Sequence, residues 1–175
     1  IGRLVGSEMC IRDRNKVMSL KTRFGNLGNI LDFDNLTEEN IFVLDSPVLT
    51  NSQFNKFKKF FSKKTKIIDC TFDISSSLKD RLEAIRVEAE TSVREGSTCL
   101  ILSDKSITNQ RASIPSILTV GAIHSYLVKQ GLRGYCSLNV ECSDAMDTHS
   151  FAVLIGVGAT TVNPYLAIDL SLIHI

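Results

Sequence analysis

The sequence predicts an α/β domain, with β/α units arranged around a parallel sheet. Two observations lead there. Short apolar runs alternate with longer stretches of helical period along most of the chain, the signature of strand and helix units. Several of those runs, such as "CLIL" from Cys99 to Leu102, are apolar throughout, as a strand covered on both faces must be.

In chain order the first expected strand is "IFVL", Ile41 to Leu44. A basic stretch, "KFKKFFSKK" from Lys56 to Lys64, follows it. Phe interleaved with Lys suits single-stranded nucleic acid. At helical spacing, however, Phe54, Phe57 and Phe61 form one face with the lysines outside it, which favours an amphipathic first helix. "KIIDC", Lys66 to Cys70, is the second strand. The second helix repeats Leu78, Leu82, Ile85, Ala89 and Val93 every three or four residues. Ser77 with Asp80 resembles a capping box, Glu90 and Arg94 can pair one turn apart, and Gly96 suits a left-handed exit. After the third strand at Cys99, a helix starts near Ser113 with Pro115 in its first turn and stops at Gly131. Its buried face is expected to hold Ile117, Val120, Gly121 and Val128. "YCSLNVE", Tyr135 to Glu141, and "TTVNP", Thr160 to Pro164, are the last strands. Between them Asp147 to Val157 is apolar nearly all round and should lie deep against its neighbours.

The two ends carry a different signal. The codons CTG TCT CTT ATA CAC ATC encode "LSLIHI", Leu170 to Ile175, and the reverse complement read from its second base encodes "MCIRD" and the start of an arginine codon. That is the string at Met9 to Arg14. An inverted repeat of this kind looks like a transposon adapter used to prepare sequencing libraries, so residues 1–14 and 170–175 are expected to be adapter-derived and non-native. Residues 15–169 are then the natural segment, the size of one ordinary domain, with no internal repeat or low-complexity run.

Of the 20 basic and 19 acidic residues, setting aside Arg3, Glu8, Arg12, Asp13 and Arg14 leaves 17 of each. This balance gives no footprint for nucleic acid or an anionic membrane. No apolar stretch approaches a membrane span and no signal peptide precedes the domain, so a soluble, cytoplasmic protein is expected. Cys70, Cys99, Cys136 and Cys142 lack any C-x-x-C spacing and are expected to be small core residues rather than ligands of zinc or an iron-sulfur cluster.

In β/α folds ligands gather beyond the carboxyl ends of the strands. Asp45 and Ser46, Asp69 to Asp73, Ser103 and Asp104, Glu141 to Asp144, and Asn163 stand there. Carboxylates from several strands suit a hard cation or acid-base work. No histidine or lysine is fixed beside them by the sequence, so capping of the following helices is the expectation. His124 falls on the apolar side of the third helix and is expected to be hydrogen-bonded. His149 sits in the first turn of the fourth, where the helix dipole disfavours a positive charge. The "GVG" at Gly156 to Gly158 lies at a helix end and reads as a C-terminal cap, not a phosphate cradle.

Longer strings are more specific. "LSDKSITNQRASIPSILTVGAIHSYLVKQGLR" (Leu102 to Arg133) and "HSFAVLIGVGATTVNPYLA" (His149 to Ala167) closely resemble the central domain of the glutamate synthase large subunit. "MSLKTRFGNLGNIL" (Met18 to Leu31), "LDSPVLT" (Leu44 to Thr50) and "DCTFD" (Asp69 to Asp73) are similar to the family's earlier landmarks, in the same order. The resemblance implies a partial, truncated TIM-barrel-like arrangement. It also implies a scaffold role between an amidotransferase domain, which releases ammonia from glutamine, and a synthase domain carrying FMN and an iron-sulfur cluster. The parent reaction forms two glutamates from glutamine, 2-oxoglutarate and reductant. Ferredoxin or a nicotinamide-dependent small subunit would supply the electrons, a choice set outside this segment. No position matches the family's N-terminal nucleophilic cysteine, cluster cysteines or flavin loops, so no catalytic, cofactor or metal residue carries over and the fragment alone is expected to be inactive. Met18, Ser19, Asp45, Ser46 and Pro47 are the candidates for the ammonia passage or a domain interface. Met18 would be an adaptable wall, Ser46 a neutral hydrogen-bonding group, and Pro47 a stiffener of the turn. The competing expectation is a free-standing β/α enzyme that uses the acidic rim with a divalent cation.

Overall fold

The computed structural model describes residues 21–24 and 42–173. Its first elements, β1 (Thr22–Phe24) and β2 (Phe42–Leu44), form an antiparallel ribbon. The strand expected at Ile41 to Leu44 therefore exists, but outside the parallel sheet. Pro47 lacks an N–H and biases the residue before it toward extended backbone, so the chain leaves the ribbon there. It next runs beside another part of the molecule: Val162 N donates to Pro47 O at 2.8 Å and Leu49 N to Val162 O at 2.9 Å. Val48 thus adds one parallel bridge to a sheet edge.

After α1 (Asn51–Phe60), the sheet is built from β3 (Thr65–Asp69) and three later strands. These are β5 (Cys99–Ser103), β7 (Ser137–Cys142) and β8 (Thr161–Pro164), side by side in the order β3-β5-β7-β8 and all parallel. The spatial order follows the chain order, as in one arc of a β/α barrel and unlike a doubly wound sheet, whose order reverses. The crossover helices are α2 (Leu78–Arg94), α3 (Ser116–Lys129) and α4 (Thr148–Val157). They cover one face, where Ile85, Ala89, Val120, Ile123, Leu127 and Leu154 pack with Ile68, Leu100, Leu102, Leu138, Val140 and Val162.

The other face receives α1. Phe54 and Phe57, each 1 % exposed, pack with Leu49, Cys99 and Ile101. The Val48 row and β3 lie at opposite edges, so their connection crosses the sheet in the reverse direction, and a right-handed crossover then puts its helix on the opposite face. Thr50 caps α1 in a reciprocal capping box with Gln53. Every residue of β5, β7 and β8 is buried, as continuous strand patterns require, whereas the edge strand β3 leaves Ile67 half exposed.

Several expectations need correction. Ser77 is the N-cap of α2 but its side chain makes no cap hydrogen bond; Arg94 does bind Glu90, at 2.8 Å. On α3, Val120 is buried, but Ile117 and Val128 are largely exposed, and the inward face is Thr119, Val120, Ala122, Ile123 and Leu127. Too many apolar residues on this helix blurred its stripe. Helix α4 does not lie deep: it rests mainly on α3 and β8, and only Leu154 is fully buried. A second, unanticipated ribbon joins β4 (Thr71–Asp73) to β6 (Arg111–Ser113), each too short for a period to register. The last described element is α5 (Tyr165–Ile173).

Candidate functional site: the polar rim and inner face

Glu141, near the end of β7, is the centre of the rim. Its side chain is 2 % exposed and accepts from Lys58 Nζ of α1 at 2.9 Å, from Lys105 Nζ at 2.8 Å and from Ser103 Oγ at 2.8 Å. Burial pushes this carboxyl up, but the bonds from Lys105, Lys58 and Ser103 together outweigh it, and the net shift is down. Each lysine also lies over an aromatic ring at 4.9 Å, Lys58 over Phe54 and Lys105 over Tyr165. Neither lysine was anticipated. A signal existed for Lys58, which follows Phe54 by four residues and so shares the helix's apolar side.

The remaining carboxylates are also engaged. Asp69 accepts from Thr71 N and Oγ1 and from Arg111 at 2.8 Å. Asp73 binds Ser75, whose hydroxyl and N–H lower its carboxyl. Asp104 Oδ2 accepts from Ser143 N at 2.8 Å and Oγ at 2.6 Å. Asp144 accepts from Ser116 N at the start of α3, and Asp147 caps α4 through Ser150 N. Burial, followed by the Asp104 charge, raises the Tyr165 hydroxyl to about 12. Deeper on the inner face, Thr161 donates to Asn139 Oδ1 at 2.8 Å, and Asn163 reaches Leu49 O and Asn51 Oδ1. These bonds stitch strand to strand and α1 to the sheet. Among the described residues no group of three His, Cys, Asp or Glu is arranged to hold a metal ion.

Met18 and Ser19 lie outside the described residues. Asp45 is exposed, and Ser46 and Pro47 are half-buried. Ser46 Oγ accepts from Val48 N at 3.2 Å. Because the Val48 bridge is parallel to β8, Ser46 and Pro47 precede it at the amino end of the sheet. They do not join Asp104 and Glu141 on the carboxyl rim, where the sequence suggested the segment would end.

His124 behaves as expected. It is half-buried and accepts from Arg133 Nε at 3.1 Å, and burial together with that cation lowers its pKa. Arg133 also donates to Cys136 O and Gly158 O, tying α3 to the end of α4. Gly158 has φ 128° and caps α4; a Cβ there would sit 2.4 Å from His124 Nδ1. His149 is exposed. The four thiols are free and buried, and burial raises all of them, Cys70 and Cys142 to about 12 and Cys99 to about 11. An iron-sulfur cluster needs several thiols converging on one point, and among the described residues these four are not grouped in that way, so they do not fit one. No helix among the described residues is long and apolar enough to cross a membrane.

Comparison with known proteins agrees on one family. The family model described as glutamate synthase central domain matches residues 10–173. The NADPH glutamate synthase large chain of Azospirillum brasilense is 49 % identical over 160 residues, covering 90 % of this chain and 10 % of that protein. The corresponding chain of Bacillus subtilis is 38 % identical over 157 residues (86 % and 10 %). The chloroplastic ferredoxin-dependent glutamate synthase of Spinacia oleracea is 37 % identical over 159 residues (87 % and 10 %). The chain thus spans about a tenth of the length of these relatives.

Proposed function

Since the chain belongs to the glutamate synthase central domain family, we propose that it acts as the scaffold domain of a glutamate synthase. In that role it links an amidotransferase domain to an FMN and iron-sulfur synthase domain and borders the ammonia passage between them. The observation that carries this reading is that every one of the rim's strand-end carboxylates is used to hold a neighbouring segment. Each strand-end carboxylate, Asp69, Asp104, Glu141 and Asp144, already serves a neighbouring element through at least one hydrogen bond. A rim used for stitching supports a structural role better than a free-standing cation-dependent enzyme, which needs ligands left open. The chemistry, with electrons from ferredoxin or a nicotinamide-dependent small subunit, then belongs to the partner domains.

The ribbon of β1 and β2 is the natural interface. Two strands of three residues are marginal in water on their own, and Val43 on β2 is 51 % exposed. Asp45, Ser46 and Pro47 leave this ribbon, and with Met18 and Ser19 they are the residues assigned to the passage or its interface. In the full-length enzyme Ser46→Phe should leave glutamine hydrolysis intact while glutamate formation falls and free ammonia escapes. Hydrolysis and glutamate formation that stay matched, in a variant of unchanged stability, refute the assignment of Ser46. The same reading takes residues 1–14 and 170–175 as adapter-derived; resequencing with adapter trimming tests it, since native ends survive trimming.

A further inference from the structure

At the carboxyl end of β5, Asp104 is 4 % exposed, and only one of its oxygens is accounted for. Oδ2 takes both Ser143 donors, while Oδ1 is buried and meets no donor among the described residues. A buried acceptor left so bears its full desolvation cost, and native structures rarely tolerate it. Asp104 lines a cavity of about 10 Å³ beneath the first turn of α3, to which Ser116, Thr119, Cys70 and Cys142 also contribute.

We propose that Asp104 and the first turn of α3 hold one buried water molecule, which bridges the end of β5 to that helix. The volume is that of about one water, and such a molecule needs at least two polar partners. Asp104 Oδ1 supplies the first. Thr119, 1 % exposed, gives its hydroxyl proton to Pro115 O and keeps its lone pairs for a second donor. A metal ion does not suit the same walls. Burial raises the Cys70 and Cys142 thiols to about 12, the Glu141 carboxylate that also lines the cavity is already engaged by Lys58, Lys105 and Ser103, the rest of the lining is aliphatic, and among the described residues no three His, Cys, Asp or Glu are grouped to hold a metal ion. The water takes the place of a direct contact: it ties the rim to α3, as Asp144 does at Ser116 N.

The test is a crystal structure of this chain at a resolution that resolves waters, with one crystal grown in rubidium salt. A peak about 2.6–3.2 Å from Asp104 Oδ1 without anomalous signal is the expected result. An anomalous rubidium peak, a direct bond from the Tyr165 hydroxyl to Oδ1, or a cavity without density each overturns the proposal. In solution, deuteron relaxation dispersion should count one long-residence water fewer in Thr119→Val than in the wild type. An unchanged count in a folded variant refutes the role given to Thr119, and a wild-type protein with no long-residence water refutes the site itself.

Discussion

Glu141→Gln isolates the electrostatic part of the rim, because the amide keeps the volume and removes the charge. Three donors converge on the carboxylate: Lys58, Lys105 and Ser103. A hydrogen bond to a charged group contributes about 1.5–3 kcal/mol and a neutral one about 0.5–1.5, so each bond weakens by about 1 kcal/mol. Two effects offset that loss. The amide is cheaper to bury, and the lysine side chains, 26 % and 51 % exposed, can turn toward water. The net cost should be about 1–3 kcal/mol, below the 3–5 that removing one partner of a fully buried pair costs. Urea unfolding at pH 7 measures it as a lower midpoint with an unchanged slope. The folded carboxyl titrates below its ordinary range, so its contribution is complete above about pH 4.3, the unfolded value, and disappears as pH falls through the folded one. The gap between wild type and variant must therefore narrow in acid. Adding Lys58→Met should cost less in the variant than in the wild type, since the pair is already broken. A variant as stable as the wild type at pH 7, or a gap that does not change with pH, refutes the account.

Three further outcomes follow from the packing. Leu138→Ala, at a fully buried sheet position, should cost about 2–5 kcal/mol in urea unfolding, and Leu82→Ala on the half-buried start of α2 less than half of that. Gly158→Ala should lower the thermal midpoint far more than Gly96→Ala: both have positive φ, but only at Gly158 does the new Cβ meet another residue, the His124 ring. His124 titrates below its ordinary value, so between the folded pKa and about 6.5 the unfolded chain binds more protons. Stability should fall as pH drops through that window, and His124→Gln should flatten the urea midpoint there.

What could be read in the chain depends on how far apart the interacting residues lie. The strand at Cys99 was legible because both its faces are buried, which writes a nearly unbroken apolar run into the sequence, whereas those at Ser137 and Thr161 carry buried polar residues on the α1 side and show their apolar side only at Leu138, Val140 and Val162. The rim was legible as a set of polar residues at strand ends, since the fold class alone fixes where those ends point. Its pairing was not legible: Lys58 and Glu141 are separated by 83 positions, and nothing local to either indicates the other. The exposed side of α4 marks a different limit, because an apolar helix specifies that it needs cover without specifying what covers it. Handedness could have located α1. Had the Val48 row been assigned to the β8 edge, the reversed crossover would have required α1 on the inner face, and Lys58, one turn after Phe54, would have been directed toward Glu141, the one buried glutamate among the described residues. The missing information was therefore a single pairing, Val48 with Val162, made by one residue beyond the proline that ends the first ribbon. An isolated bridge of that kind leaves no period in the sequence, and the position of the whole inner layer depends on it.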